Sequence, residues 1–168
     1  NPTINTRSIA VALSVGIGAA GAGAISVTTI EVRTQAFLRS VTLSAPGNNV
    51  EVHATSTSLA TPFSVGGSGG AVAGSVVNAE ANILGTTEAF IDGNNQVTAN
   101  ALNVNSMDTN TAAPITRVLA AGLITINRAE TNISLRRVTA ARVSKGAVLI
   151  MPNGSLNLTA NTTNQSNG

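Results

Sequence analysis

An internal repeat of about 52 residues constrains the fold of this chain more than any other feature of the sequence. A first block of five residues recurs at shifts of 53 and 52, and its copies are Thr34–Leu38, Thr87–Ile91 and Thr139–Val143. A second block follows each copy at shifts of 52 and 54, as Val50–Ala54, Leu102–Ser106 and Leu156–Ala160. A constant block order at a nearly constant spacing indicates a repeat architecture in which each unit packs against its neighbours. We therefore divide the single domain 1–168 into repeats at approximately 8–58, 59–110 and 111–165.

A third block precedes the first block in the two later repeats. Ala79–Ile83 matches Ala129–Ile133 at a shift of 50, and this match places Glu80 and Glu130 at equivalent positions. Carboxylates that recur at one repeat position indicate a feature of every coil rather than a unique catalytic site.

Apolar and polar residues alternate within the blocks, for example over Val41–Ala45, Val50–Ala54 and Leu156–Ala160. A period of two places alternate side chains on opposite faces of a β-strand, one in a core and the other in solvent. Turn-forming residues lie between the runs at Pro46–Asn49, Asp92–Asn95 and Pro152–Gly154, and these three segments fall at matching places in the repeat. No segment has the 3.6-residue period of an amphipathic helix, so the sequence predicts little or no α-helix.

The composition limits how wide the interior of such a fold can be. Aromatic residues make up 2% of the chain, and there is no Trp or Tyr. A thick globular core is usually filled by large side chains, aromatic ones above all, whereas Ala, Val, Ile and Ser suit a narrow one. Stacked strands of a β-solenoid enclose an interior of that kind.

The sequence thus predicts an all-β fold, a parallel β-helix (β-solenoid) built from about three repeats. Coils of roughly 20–25 residues are common in such folds, so we expect each repeat to form two coils. About seven coils stacked 4.8 Å apart would extend roughly 35 Å. A Greek-key β-sandwich also has many short strands and is the alternative architecture, although its wider core calls for more large residues.

Composition and charge argue against several classes of protein. Apolar residues make up 43% of the chain, so burial can offset the entropy of ordering and disorder is not expected. The 9 Lys and Arg residues are widely spread with few aromatic neighbours, which argues against a nucleic-acid partner. No Cys is present, which excludes disulfides and thiolate metal sites. The uncharged stretch Ser8–Ile30 is rich in Gly, and its counterparts carry charges, so we expect no membrane insertion of this segment.

The second repeat combines several motifs in order: Ser75–Asn78, then Thr87–Gly93, then Leu102–Ser106. This order resembles repeats of filamentous-haemagglutinin-like and leukotoxin-like filamentous adhesins, very large bacterial exoproteins that include biofilm-matrix adhesins. The resemblance covers most of the chain and implies a right-handed parallel β-helix, export across the cell envelope, and an adhesive or matrix role. The third repeat departs from the pattern, with Arg142 in place of the Phe and Ser144–Gly146 in place of Asp-Gly.

No residue is expected to have a catalytic, cofactor-binding or metal-binding role. Gly16–Gly21 fits the G-x-G-x-x-G phosphate-binding pattern, but a β-like run follows it where a dinucleotide fold needs a helix. His53 is the single histidine, and its polar neighbours on an alternating strand place it on an outward face, a poor metal site. Glycoside cleavage needs two carboxylates held at a set distance, and no pair of the 7 acidic residues is singled out for that role.

One basic cluster is evident in the sequence, and it consists of Arg136, Arg137, Arg142 and Lys145. A solvated face is the ordinary role of such a cluster, and contact with a polyanion such as an acidic polysaccharide is the binding role that we assign to it.

These features together predict a structural or adhesive stalk segment of a secreted or cell-surface bacterial exoprotein, with no chemistry of its own. Its role would be adhesion, biofilm matrix or an extracellular filament. The chain begins at Asn1 without an initiator Met, so we expect a segment of a longer protein. Expected partners are neighbouring repeats, identical chains end to end, and surface glycans. Two alternatives stay open: a self-assembling extracellular filament subunit, and a β-helix protein that binds or degrades polysaccharide.

Overall fold

The computed structural model describes residues 2–152 and 154–167, and every regular element within them is a β-strand. The strands are β1 (Thr3–Thr6), β2 (Ile9–Val15), β3 (Ala19–Arg39), β4 (Thr42–Ala60), β5 (Phe63–Gly69), β6 (Val72–Asp92), β7 (Gln96–Ala112), β8 (Ile115–Ala121), β9 (Ile124–Val143), β10 (Val148–Ile150) and β11 (Leu156–Ser166). The expectation of little or no α-helix is met over these residues.

The strands form three sheets, and all of their described pairings are parallel. Sheet A contains β1, β4 and β7, followed by β10 and β11, which both pair with β7. Sheet B contains β2, β5 and β8, and sheet C contains β3, β6 and β9. The chain visits the three sheets in rotation and returns to each one beside its previous strand, which is the path of a parallel β-helix. The predicted fold is confirmed, and the Greek-key alternative, which requires antiparallel pairing, is wrong.

Each repeat forms one coil, not the two that we expected. Paired residues lie 53 positions apart between β3 and β6 and 52 apart between β6 and β9, so a whole repeat is needed to return to the same sheet. The physical cause is strand length, because β6 and β7 run for 21 and 17 residues without a corner. The four levels of sheet A, about 4.8 Å apart, therefore span about 15 Å instead of the longer shaft that we predicted.

The strand register confirms two of the three block alignments. The first and second blocks pair as the sequence predicts. The third block is misaligned by two residues, because Glu80 pairs with Asn132 and Glu130 pairs with Asn78. The expected row of equivalent carboxylates is therefore wrong.

Two of the three turn-forming segments have different roles, so the prediction that all three match is also wrong. The third segment, Pro152–Gly154, includes residue 153, which lies outside the described residues. Pro46–Asn49 lies inside β4, where the register with β7 shifts after Ala45. Asp92–Asn95 is a true corner between sheets C and A, and there the Asn95 side-chain oxygen accepts a 2.9 Å hydrogen bond from the Val41 N–H of the preceding coil. A local irregularity in a strand absorbs extra residues without ending it.

Small and medium aliphatic side chains fill most of the interior. One cluster consists of Ile30, Val32, Ala60, Ala81, Ile83 and Ala112, and a second consists of Val52, Ala54, Ala89, Ile91, Leu102 and Val104. The members of each come from sheets A and C, so these two sheets pack against each other across the coil. Side chains of this size suit the narrow interior that the composition predicts.

Gly16–Gly21 lies at the corner between sheets B and C and in the first residues of β3. The Gly16 N–H donates to the Gly69 carbonyl oxygen at 2.9 Å, and the Gly18 carbonyl oxygen accepts from the Val72 N–H at 2.9 Å. The glycine motif thus belongs to the contact between two successive coils, and a strand follows it as the sequence predicts.

Candidate functional site

The four residues of the basic cluster do not share one face in the structure, because three are exposed and the side chain of Arg137 is buried. Because β9 is extended, neighbouring side chains point to opposite sides of the sheet. Arg136 and Arg142 lie exposed on the outer face, and Lys145 is exposed in the turn after β9. Arg137 points into the coil, where 0% of its side chain is exposed. The assignment of Arg137 to a surface polyanion contact is therefore wrong.

The two outward arginines are not close together. Arg136 and Arg142 are six positions apart on an extended strand, which separates their backbones by roughly 20 Å. Arg142 is also engaged with the second coil: its guanidinium lies 4.7 Å from the centre of the Phe90 ring and 4.0 Å from a Glu88 carboxylate oxygen. A polyanion contact at Arg136, Arg142 and Lys145 stays a prediction, and it would require an extended ligand.

The most highly organised polar group in the described residues surrounds the buried Arg137 guanidinium. Its Nε donates to Asp108 Oδ2 at 2.9 Å, and its Nη2 donates to Asp108 Oδ1 at 2.8 Å, which makes a two-pronged ion pair. Its Nη1 donates to the carbonyl oxygens of Val32 at 2.8 Å and Leu84 at 2.9 Å. The hydroxyl oxygens of two further residues, Ser56 at 3.2 Å and Thr87 at 2.8 Å, also accept from Nη2. All of the guanidinium donors are therefore satisfied.

The partners of Arg137 come from the two coils that precede its own. Val32 and Ser56 belong to the first coil, Leu84, Thr87 and Asp108 to the second, and Arg137 itself to the third. One side chain thus links three successive coils and connects sheet C to sheet A. We call Arg137, Asp108 and the residues that bond to them the three-coil bridge.

The charge on Asp108 is stabilised inside this bridge. Burial alone raises the pKa of Asp108, because it disfavours the charged form. The hydrogen bonds from Arg137, Asn110 and Thr87, together with the positive charge of Arg137, outweigh burial and hold the pKa of Asp108 below its ordinary value. The Asn110 amide donates to Asp108 Oδ2 at 2.7 Å, so the carboxylate has donors besides the guanidinium.

Gly85 makes room for the guanidinium. In the sheet register, Val32, Gly85 and Arg137 occupy the same inward position in three successive coils. Gly85 has a φ of 116°, and a Cβ there would lie 2.0 Å from the Val32 carbonyl oxygen and 2.8 Å from Arg137 Nη1. Only glycine leaves this space open, because any other residue would place its Cβ there. Residues with a Cβ also rarely adopt such a φ.

Alternation along two strands contains the signal that predicts this bridge. Leu135, Arg137 and Ala141 share one parity of β9, and Val104 and Asp108 share one parity of β7. Since the apolar members face the core, the two charged residues on the same parity must face it too. In the sequence Arg137 lies among basic residues that face outward, so its charge alone does not reveal that it faces the core, and no motif beside Asp108 marks that residue as its partner.

An outward column of side chains runs along sheet C. The Phe37 and Phe90 rings stack with their centres 5.4 Å apart, and Arg142 lies over Phe90 in the third coil. Phe90 is consequently only 3% exposed although it is on the outer face. Stacking of this kind adds to the backbone pairing between coils.

The remaining candidate residues are dispersed. His53 is exposed as predicted, and its Nε2 lies 2.6 Å from the Thr55 hydroxyl. Glu80 accepts a hydrogen bond from the Asn82 amide at 2.7 Å. Over residues 2–152 and 154–167, no group of three His, Asp or Glu side chains is placed to hold a metal ion. In the same part of the chain there is no helix long and apolar enough to cross a membrane.

The coiled arrangement defines a three-coil parallel β-helix with a buried ionic bridge. Comparison of the chain with protein-family models finds no matching family. Comparisons with curated proteins and with solved structures also find no match.

Proposed function

We propose that this chain is a stalk segment of a secreted or cell-surface bacterial exoprotein that serves adhesion, a biofilm matrix or an extracellular filament. The observation that carries the proposal is the register: successive coils pair strand on strand at shifts of 52–54 residues in all three sheets. A unit that stacks on copies of itself through its backbone can lengthen a shaft without any change in cross-section.

The side chains support the same role. The three-coil bridge resists separation of coils from the inside, and the column of Phe37, Phe90 and Arg142 does so from the outside. Both features run along the axis of stacking, which is the direction in which a stalk bears load. Neither presents a reactive group to solvent, because Arg137 and Asp108 are closed off by their own partners.

The resemblance of the second repeat to filamentous adhesins supports an extracellular or cell-surface location. In this role the partners of each coil are its neighbouring repeats, and surface glycans are the candidate ligands of the outer face. Adhesion would depend on the shaft and its number of coils rather than on any single exposed side chain.

A coil-insertion series tests the stalk role. A second copy of residues 61–112 is inserted after Ala112. The inserted copy begins with Thr61-Pro62, and the residues that follow it are Ala113-Pro114, so both junctions place a residue followed by Pro after Ala112. Each inserted coil is expected to lengthen the particle by about 4.8 Å at constant cross-section, measured by small-angle X-ray scattering. A Gly-Ser linker of equal length is the control and should add a flexible loop instead. An inserted coil that thickens the particle or stays unfolded contradicts the proposal.

Function is tested with the same series displayed on bacteria that lack adhesins of their own. Attachment to glycan-coated surfaces under flow is expected to increase with coil number and to be unaffected by Glu80→Gln or His53→Ala. Loss of attachment from one of these variants, with the fold intact, would contradict the stalk role. Release of sugar fragments from acidic polysaccharides would favour the polysaccharide-degrading alternative.

A further inference from the structure

The outer face of sheet B is apolar across all three coils. Its large exposed side chains are Ile9, Val11, Leu13 and Val15 on β2, with Ile115 and Leu119 on β8. Leu13 is 76% exposed, Val15 is 90% exposed and Leu119 is 75% exposed. The charged group of this face is Arg117, which lies 5.7 Å from the centre of the Phe63 ring. Monomeric proteins rarely expose a contiguous apolar patch larger than a few hundred Å², so a face of this kind marks an interaction surface.

The outer face of sheet B has projecting side chains on its two outer strands and a groove along its middle strand. On the middle strand β5, Gly67 and Gly69 occupy the outward positions between the first and third coils. Leu13 and Val15 rise on one side of the two glycines, and Leu119 rises on the other, so the three strands form an apolar groove. A surface that contains both a projecting row and a matching groove can fit a copy of itself.

We infer that the outer face of sheet B binds a second copy of this chain, face to face, around a two-fold axis. The exposed area supports this occupant. Six Leu, Ile and Val side chains at roughly 100 Å² of apolar surface each supply on the order of 600 Å² per copy. Two copies then bury about 1,200 Å², which is the lower limit for specific protein interfaces. Sheets packed in this way lie about 10 Å apart, a distance that the Leu13 and Leu119 side chains span by entering the partner's groove.

Such a pairing differs from stacking end to end. The two-fold contact uses the same patch on both copies and closes after two chains, whereas end-to-end pairing of strand edges continues indefinitely. Lateral pairing would bring two stalks side by side along their length, and every added coil would add to the contact.

Sedimentation equilibrium of the full chain from about 10 µM to about 1 mM tests the inference. The expected result is a monomer–dimer equilibrium that stops at two chains. Leu13→Glu and Leu119→Glu each place a charge beside the groove, at a side chain that would enter the partner's groove. Each is expected to weaken the dimer at least tenfold. Val138→Glu is the matched control, because Val138 is 58% exposed but lies on the outer face of sheet C. It should dimerise like the wild type, and circular dichroism should show that all variants are folded.

Gly69→Leu tests whether dimerisation depends on the shape complementarity of the face or only on its hydrophobicity. A Cβ at Gly69 would meet only Val15 Cγ2, at 4.0 Å, so the first atom of the new side chain clashes with nothing in the chain. A leucine there fills the groove and should weaken a dimer that depends on projecting side chains and a groove, although the face becomes more apolar. Stronger association of Gly69→Leu overturns the inference.

Three other outcomes also overturn it. A wild type that stays monomeric throughout has no such interface, and growth beyond two chains indicates edge pairing instead. Flotation with phosphatidylcholine vesicles, lost in Leu13→Glu and unaccompanied by a dimer, would assign the face to a lipid surface.

Discussion

Removing the positive charge from the three-coil bridge should destabilise the protein strongly. In Arg137→Met the side chain keeps an unbranched apolar stem that ends near the former position of Nε, and it loses every hydrogen-bond donor. The Asp108 carboxylate then stays buried with only the Asn110 amide at 2.7 Å and the Thr87 hydroxyl at 3.3 Å as donors. The carbonyl oxygens of Val32 and Leu84 lose their bonds to the guanidinium as well.

The expected cost is about 3–5 kcal/mol, the usual effect of removing one partner of a buried ion pair. That amount is a large fraction of the 5–15 kcal/mol by which typical domains are stable. Asp108→Leu should cost a similar amount, because it leaves the guanidinium charged and unpaired. The double variant removes both charges and should recover most of the loss, since apolar replacements of buried pairs are often neutral or stabilising.

Denaturant unfolding followed by circular dichroism measures these differences, and the four proteins form a double-mutant cycle. Arg136→Met is the control, because its side chain is exposed on the other face of the same strand. It should change stability by less than about 0.5 kcal/mol. A loss below about 1 kcal/mol in Arg137→Met, or additive effects in the double variant, would refute the assignment of a buried, coupled pair.

Three further outcomes follow from the structure. Because the folded pKa of Asp108 is lowered, its stabilising contribution is complete above the unfolded pKa of about 3.9 and is lost as the pH falls through the folded pKa. Unfolding measured from pH 7 downward should therefore show an acid-dependent loss of stability that is smaller in Asp108→Asn. Gly85→Ala should cost more than Gly47→Ala, because both positions have positive φ but only the Cβ at residue 85 meets neighbouring atoms; equal thermal denaturation midpoints would contradict this. His53→Ala should leave the free energy of unfolding within about 0.5 kcal/mol of wild type in the same titration.

Much of the fold could be predicted from the sequence because the relevant signals are local. Alternation over Val50–Ala54 identifies a strand and its inward face, and the recurrence of that block at Leu102 and Leu156 gives the register of sheet A. The number of coils could not be read in the same way. Pro46–Asn49 has the composition of a turn, yet β4 continues through it, so the true strand is twice as long as its parts suggest.

The candidate site was harder to predict, because it depends on pairing between distant strands. Arg137 and Asp108 are 29 residues apart and belong to different coils, so nothing near either residue indicates the other. The parity of each residue shows that it faces inward. Their meeting required the register of sheets A and C together with the missing side chain at Gly85.

The position of Arg137 has a consequence for the order in which the chain assembles. Its guanidinium reaches Val32, 105 residues earlier in the chain, and it can do so only when the two earlier coils have already enclosed their carbonyl and carboxylate oxygens. Contacts of such long sequence separation form late, after shorter loops have closed. During synthesis from the N-terminus, the first two coils and their carbonyl and carboxylate oxygens emerge before Arg137 does. The binding site for the guanidinium can therefore form first, and the third coil then docks onto it.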